Sequence, residues 1–171
     1  MFDPSVMKYF IRDLGYGCGC FLKVTDEIVH SATTLINIGN SFLVISFDPV
    51  TSENINIKVF SHLVNLNSND FNMNKSVITI GRDSECDIMI EDPMLSRFHT
   101  TLFLYNTGEE RKFGIKDGSS TVNEDLDCKV WKFSTNGTWL YLADDYEIFD
   151  GMIYKAHNTI FRVSIIDFYF I

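Results

Sequence analysis

Eleven short apolar runs, each bounded by Gly, Asn, Asp or Ser, recur along this chain of 171 residues. They are Gly19–Val24, Thr34–Ile38, Ser41–Phe47, Asn54–Phe60, Ser76–Ile80, Asp87–Ile90, His99–Tyr105, Lys112–Lys116, Thr138–Leu142, Met152–Ala156 and Thr159–Ile166. Branched and aromatic side chains pack well on a pleated surface, so short runs of them between turn formers read as strands. Helical periodicity is scarce, and a content of 15 Phe and 7 Tyr adds weight to the strand reading. Many short strands of this kind predict an all-β sandwich or barrel. Asn106-Thr107-Gly108 reads as a hairpin connection. Ser61–Lys75, rich in Asn and Ser, reads as a long polar loop joining two strands.

The length suits one ordinary domain with room for part of another. No stretch approaches the ~20 apolar residues of a membrane span. The N-terminus lacks the basic start, apolar centre and small cleavage residues of a secretory leader, which points to the cytoplasm or nucleus. Cys18, Cys20, Cys86 and Cys128 form no Cys-x-x-Cys pair and no disulfide framework, so free thiols in a reducing compartment are expected. A zinc site built on Cys18 and Cys20 has little support, and no metal or cofactor is expected. The net charge of −9 argues against non-specific binding to nucleic acid or to anionic lipid.

Three polar constellations interrupt the strand pattern: Gly81-Arg82, then Ser96-Arg97-Phe98-His99, then Ser134-Thr135-Asn136-Gly137-Thr138. Arginine presents a fixed fork of donors, serine and threonine present compact hydroxyls, and an asparagine amide both donates and accepts. Together these groups suit a doubly charged phosphate. In this order and spacing they resemble the forkhead-associated (FHA) domain, a module that binds phosphothreonine peptides. The resemblance runs from about Asn54 to the C-terminus, about two thirds of the chain. It implies a sandwich of two mostly antiparallel sheets, of the SMAD/FHA type, with residues 51–171 as the FHA domain.

The same resemblance assigns roles. Arg82, Ser96 and Arg97 would contact the phosphate, Thr135 would contact the phosphate or fix its loop, and Asn136 would bond the backbone of the bound peptide. Gly81, His99 and Gly137 would shape the site: His99 enters an apolar strand and ties its loop together, and Gly137 supplies a backbone conformation that other residues avoid. Asp117-Gly118-Ser119-Ser120-Thr121-Val122-Asn123 also resembles the approach to such a loop, but only Ser134–Leu140 is followed by the Gly-Thr-aromatic strand. Residues 118–133 then become an insertion longer than the family usually carries, free to overhang the pocket, to tune selectivity, or to be a solvated loop. The acids around Arg82 (Asp83, Glu85, Asp87, Glu91 and Asp92) would disfavour acidic ligands outside the pocket.

The chain also repeats itself weakly. Gly19-Cys20-Phe21-Leu22, then Leu35-Ile36, then Asn40–Ser46 parallels Gly137-Thr138-Trp139-Leu140, then Met152-Ile153, then Asn158–Ser164. Phe21 to Ile36 spans fifteen positions and Trp139 to Ile153 spans fourteen. Residues 1–50 therefore look like the back half of a second FHA domain. Either the sequence comes from a tandem protein, the favoured explanation, or the half-unit packs as extra strands; alone it would expose unpaired edges.

The function expected from this reading is recruitment of a phosphothreonine-bearing protein or peptide in signalling, with no cofactor and no reaction. A non-catalytic scaffold that works without phosphate is the alternative, and the oligomeric state is not legible. An enzyme built on Cys86 or Cys128 with His99, or on Asp144-Asp145, finds no supporting motif: there is neither a Gly-rich phosphate loop with its Lys nor a nucleophile elbow.

Overall fold

The computed structural model describes residues 1–50, 53–61, 67–106, 110–123 and 128–166. It is all-β and divides into two compact units, one of Val24–Trp139 and one of Met1–Lys23 with Leu140–Ile171.

Among the described residues, the Val24–Trp139 unit contains two main sheets and a separate two-stranded hairpin. In the first, five strands lie in the order Ile88–Met89, Val77–Gly81, Thr100–Asn106, Arg111–Asp117, Ile28–His30. All neighbours are antiparallel except Ile88–Met89, which runs parallel to Val77–Gly81. In the second, Thr34–Ile38, Ser41–Phe47, Asn54–Phe60 and Asn67–Asn72 follow one another antiparallel. The strand Thr138–Tyr141 begins in this unit and lies beside Thr34–Ile38 in the strand order.

Alternation along the strands builds the core. In Asn54–Phe60, Ile55, Ile57 and Val59 are buried while Lys58 and Phe60 are exposed. In Val77–Gly81, Ile78 and Ile80 turn inward. Side chains one apart on a strand point to opposite faces, so each sheet presents one apolar face. Ile36, Ile38, Leu43 and Ile45 from one sheet and Leu102, Phe113 and Ile115 from the other are fully buried. Phe47 meets Phe113 edge-on, with ring centroids 5.6 Å apart, which closes the sandwich between the sheets.

The segment Thr34–Phe47 is thus interior to a sheet, and its pairing crosses residue 50, with Phe47 opposite Ile55. Of the two explanations left open for the N-terminal segment, extra packed strands describes this arrangement. In each of the two stretches aligned by the weak repeat, a strand, Cys20–Lys23 or Thr138–Tyr141, precedes an antiparallel hairpin. The first hairpin, Thr34–Ile38 with Ser41–Phe47, is largely buried, whereas Thr159–Arg162 of the second is exposed along its length.

The remaining unit holds Phe2–Asp3, Lys8–Ile11 and Tyr146–Glu147 in one small sheet, and Ile153–Ala156 between Cys20–Lys23 and Thr159–Arg162 in another arrangement of strands. Lys8 pairs with Glu147 at 2.7 Å, and Phe21 packs against Tyr141 with ring centroids 5.5 Å apart.

Two local expectations change. Ser61–Lys75 is not a loop throughout, because Asn67–Asn72 is a strand paired with Asn54–Phe60. Its polar composition hid it: the Asn56 side-chain amide donates to Ser68 Oγ and Asp70 Oδ1, at 2.8 and 2.6 Å, so polar cross-strand bonds replace apolar packing. Polar edge strands of this kind also resist pairing with other chains. The insertion after Gly118 is a hairpin, Ser119–Asn123 with Cys128–Lys132, in place of a solvated loop. The Asn106-Thr107-Gly108 connection falls partly outside the described residues, although Asn106 pairs with Arg111 on either side of it.

Candidate functional site

Gly81 ends a core strand, and a Cβ there would sit 2.0 Å from the Arg97 carbonyl oxygen and 3.0 Å from Phe98 Cα. Only glycine permits that approach. It lets Arg82 N–H donate to the Ser96 carbonyl at 3.2 Å and Asp83 N–H donate to the Arg97 carbonyl at 3.1 Å. The first and second constellations are therefore stitched together through backbone.

The third constellation is joined to the second by side chains. Ser96 Oγ accepts from Thr135 N–H at 3.0 Å and donates to Thr135 Oγ1 at 3.4 Å. The Asn136 amide donates to the Met94 carbonyl at 2.7 Å. His99, fully buried, bridges both loops: its Nδ1 accepts from Ser96 N–H at 3.0 Å, and its Nε2 lies 3.1 Å from the Gly137 carbonyl. An acceptor at Nδ1 leaves the proton on Nε2, which donates to that carbonyl, so the ring is neutral. Burial lowers the His99 pKa, against smaller opposing effects from the Gly137 bond and from Asp117 and Asp92. Gly137 has φ +77°, in the left-handed region expected of it.

Two buried carboxylates anchor these loops, and neither was singled out as such in the sequence. Asp117 accepts from the Ser134 and Thr138 hydroxyls at 2.6 and 2.8 Å and from Ser134 N–H at 3.1 Å. Asp92 accepts from Met94 N–H at 2.9 Å and from Asn40 N–H at 2.7 Å, which holds the Ser96 loop against the turn that joins Thr34–Ile38 to Ser41–Phe47. Of the acids expected to repel ligands, Asp92 is therefore internal. Asp87 is committed to Lys75 and Thr79, and those bonds hold its pKa low despite the desolvation that opposes them.

Arg82, Ser96, Arg97 and Thr135 line one cavity of about 220 Å³. Asn136 does not line it; its side chain is turned to Met94. The hairpin contributes Ser119 and Thr121, from the stretch that also resembled the approach to such a loop, and Lys132, which the sequence reading did not pick out, with Phe133 just beyond its second strand. Among the described residues, Arg82, Arg97 and Lys132 enter none of the ion pairs. Lys132 was legible only as one cation in an insertion; no spacing rule connects it to Arg82.

Of the groups weighed for catalysis, Cys86, His99 and Asp145 are otherwise engaged. Cys86 is buried, its thiol donates to the Arg97 carbonyl at 3.2 Å, and burial pushes its pKa up to about 11. Such a thiol is a poor nucleophile. Asp145 pairs with Arg12 at 3.5 Å. The Cys128 side chain lies outside the described residues. Among the described residues no group of three or more His, Cys, Asp or Glu is arranged to hold a metal.

The fold and the stitched loops define an all-β sandwich of FHA type with extra N-terminal strands. Residues 78–155 match the FHA domain family, in a single match. FHA domains are non-catalytic interaction modules, generally for phosphopeptides. No curated protein and no solved structure was found to match the chain.

Proposed function

We propose that this chain is a phosphothreonine-dependent binding module that recruits a phosphorylated partner. One observation carries the reading: three cations without ion-pair partners among the described residues line a single cavity with four hydroxyl side chains, on a chain of net charge −9. A phosphothreonine brings roughly −1.5 to −2 charges and three strong acceptor oxygens. Arg82 takes it through charge-assisted, forked bonds, and the Ser96 and Thr135 hydroxyls complete the set. Asn136, with one of its two amide N–H groups used on Met94, keeps its Oδ1 for a backbone N–H of the peptide. The threonine methyl alone is worth ~0.8 kcal/mol, about fourfold in affinity, so preference over phosphoserine also depends on the fit against Phe98 and Phe133 at the cavity wall.

An oriented peptide library, displayed with phosphothreonine and with unmodified threonine and probed with wild type and Arg82→Ala, tests this. Phosphorylated peptides should be retained by wild type and lost by the variant. Equal binding of both forms would leave the scaffold that ignores phosphate as the better reading.

A further inference from the structure

Two hairpins of this chain, Thr34–Ile38 with Ser41–Phe47 and Ile153–Ala156 with Thr159–Arg162, are built alike. Ile38 pairs with Ser41 and Ala156 with Thr159, so each closes over two residues, Gly39-Asn40 or His157-Asn158. The first of these has φ +54° in both, a left-handed conformation that is uncommon for a residue such as His157. The shared register matches Ile36 with Tyr154, Leu43 with Phe161 and Ile45 with Val163. The hairpins differ at their outer edges. Ser41–Phe47 is paired there with Asn54–Phe60, with Leu43 opposite Val59 and Ile45 opposite Ile57. Thr159–Arg162 stands last in its strand order, and among the described residues no strand pairs with its outer edge. Burial follows the pairing: Ile36, Leu43 and Ile45 have no exposed surface, whereas Phe161 is 41% exposed and Tyr154 and Val163 are half-buried. Val163 N–H donates to the Met152 carbonyl at 2.8 Å, so Phe161 and Val163 turn their backbone groups inward to the hairpin. By alternation the N–H and C=O groups of Ile160, Arg162 and Ser164 point outward. Their counterparts in the first hairpin, Phe42, Val44 and Ser46, stand opposite Phe60, Lys58 and Asn56.

We infer that the outer edge of residues 159–164 is a strand-addition site for an extended partner segment with branched apolar residues at alternate positions. The occupant is read from the first hairpin, where Asn54–Phe60 supplies such a segment to the matching edge. A strand laid antiparallel on the second edge bonds through its backbone to Ile160, Arg162 and Ser164, and its apolar side chains cover Phe161 and Val163. Arg162 refines the choice. It occupies the position of Val44, which faces Lys58 in the first hairpin, and like charges directly opposite each other on a sheet are unfavourable. The partner segment therefore carries an acidic residue, not a basic one, opposite Arg162. The edge is also unguarded. Asn67–Asn72 protects its edge with polar side chains, whereas Ile160 is 62% exposed on this one. None of these residues lines the 220 Å³ cavity, so the inference is independent of the phosphate reading.

The experiment uses the full chain and a synthetic peptide with the sequence of residues 53–61 carrying Lys58→Glu, with amide hydrogen exchange followed residue by residue by NMR. In the free protein the N–H groups of Ile160, Arg162 and Ser164 should exchange faster than those of Phe161 and Val163. Saturating peptide should slow the first three by about tenfold or more. The same peptide with Lys kept at position 58 should bind about threefold more weakly, as an opposed like charge predicts. Serine in place of Ile55, Ile57 and Val59 of the peptide should abolish the effect. In the protein, Phe161→Ser keeps the backbone and removes the apolar contact, and Ile160→Pro removes one outward donor. Each should weaken binding by about tenfold, with amide shifts outside the hairpin unchanged to show that the rest of the chain is folded. Absence of protection at saturation of the peptide's solubility overturns the site, as does equal protection by the serine peptide. Protection of the three amides in the free protein also overturns it: at every dilution it would mean that the chain's own residues 167–171 take the edge, and on concentration alone that a second copy does.

Discussion

Arg82 and His99 illustrate two ways in which a single residue serves this site. Arg82 is exposed and lines the cavity, and on the proposed function it contacts the phosphate directly. Charge-assisted bonds are worth roughly 1.5–3 kcal/mol each, so Arg82→Ala should weaken phosphopeptide binding by about one to two decades, read by isothermal titration. Because the side chain makes no ion pair among the described residues, the thermal midpoint of the variant should stay close to that of wild type. His99 acts through the loops. Its folded pKa is depressed by burial below the ordinary 6.5, so below that pH the unfolded chain binds more protons than the folded one. The stability tied to neutral His99 is complete above about pH 6.5 and is lost as pH falls towards the folded pKa. Denaturant melts at pH 7.5 and 5.5 should show this loss in wild type, and His99→Gln should show a smaller pH dependence. Protonation would also remove the acceptor for Ser96 N–H, so peptide affinity should fall across the same range.

At the scale of elements, the site is a set of turns held by buried carboxylates. Asp92 links the Ser96 loop to the Asn40 turn, with its carboxylate accepting from Asn40 N–H, Ser41 Oγ and Met94 N–H at 2.7, 3.3 and 2.9 Å. Replacing it by alanine leaves buried donors unpaired, at about 1–3 kcal/mol for each such group. Asp92→Ala should therefore lower stability by a few kcal/mol and weaken phosphopeptide binding, although Asp92 is no part of the cavity wall. Asp92→Asn, which keeps an acceptor oxygen, should recover part of both. Urea unfolding and anisotropy on the same samples check the pair. Asp117 plays the equivalent part for the Ser134–Thr138 loop, through three hydrogen bonds to that loop.

For the whole molecule, the strands Thr34–Ile38 and Ser41–Phe47 of the N-terminal segment are structural members of the unit that holds the site. Ile36, Ile38, Leu43 and Ile45 have no exposed surface. A buried Leu→Ala change costs about 2–5 kcal/mol through lost transfer energy and the cavity left behind. Leu43→Ala should thus lower the unfolding free energy by that amount, with residual phosphopeptide affinity near wild type while the protein stays folded. Differential scanning calorimetry and a binding titration below the transition separate the two effects. A variant whose stability is unchanged would mean that these strands do not share the core.

Composition and short-range pattern carried the all-β class, most of the strands and the three polar constellations, because alternation with a period of two and turn chemistry are written locally. The shaping roles expected of Gly81, His99 and Gly137 came from the family resemblance, with local support in the apolar strand that His99 enters; the close approach at Gly81 became visible only in the fold. The polar strand Asn67–Asn72 was not legible, since its stability comes from cross-strand amide and hydroxyl bonds to Asn56. Lys132, Asp92 and Asp117 were not legible as parts of the site either. Their roles depend on which distant turns the sheets bring together, Asn40 with Met94 and Ser119 with Arg82. Such contacts follow from burying two apolar sheet faces against each other, a cooperative outcome of the folded core that no local stretch of residues encodes.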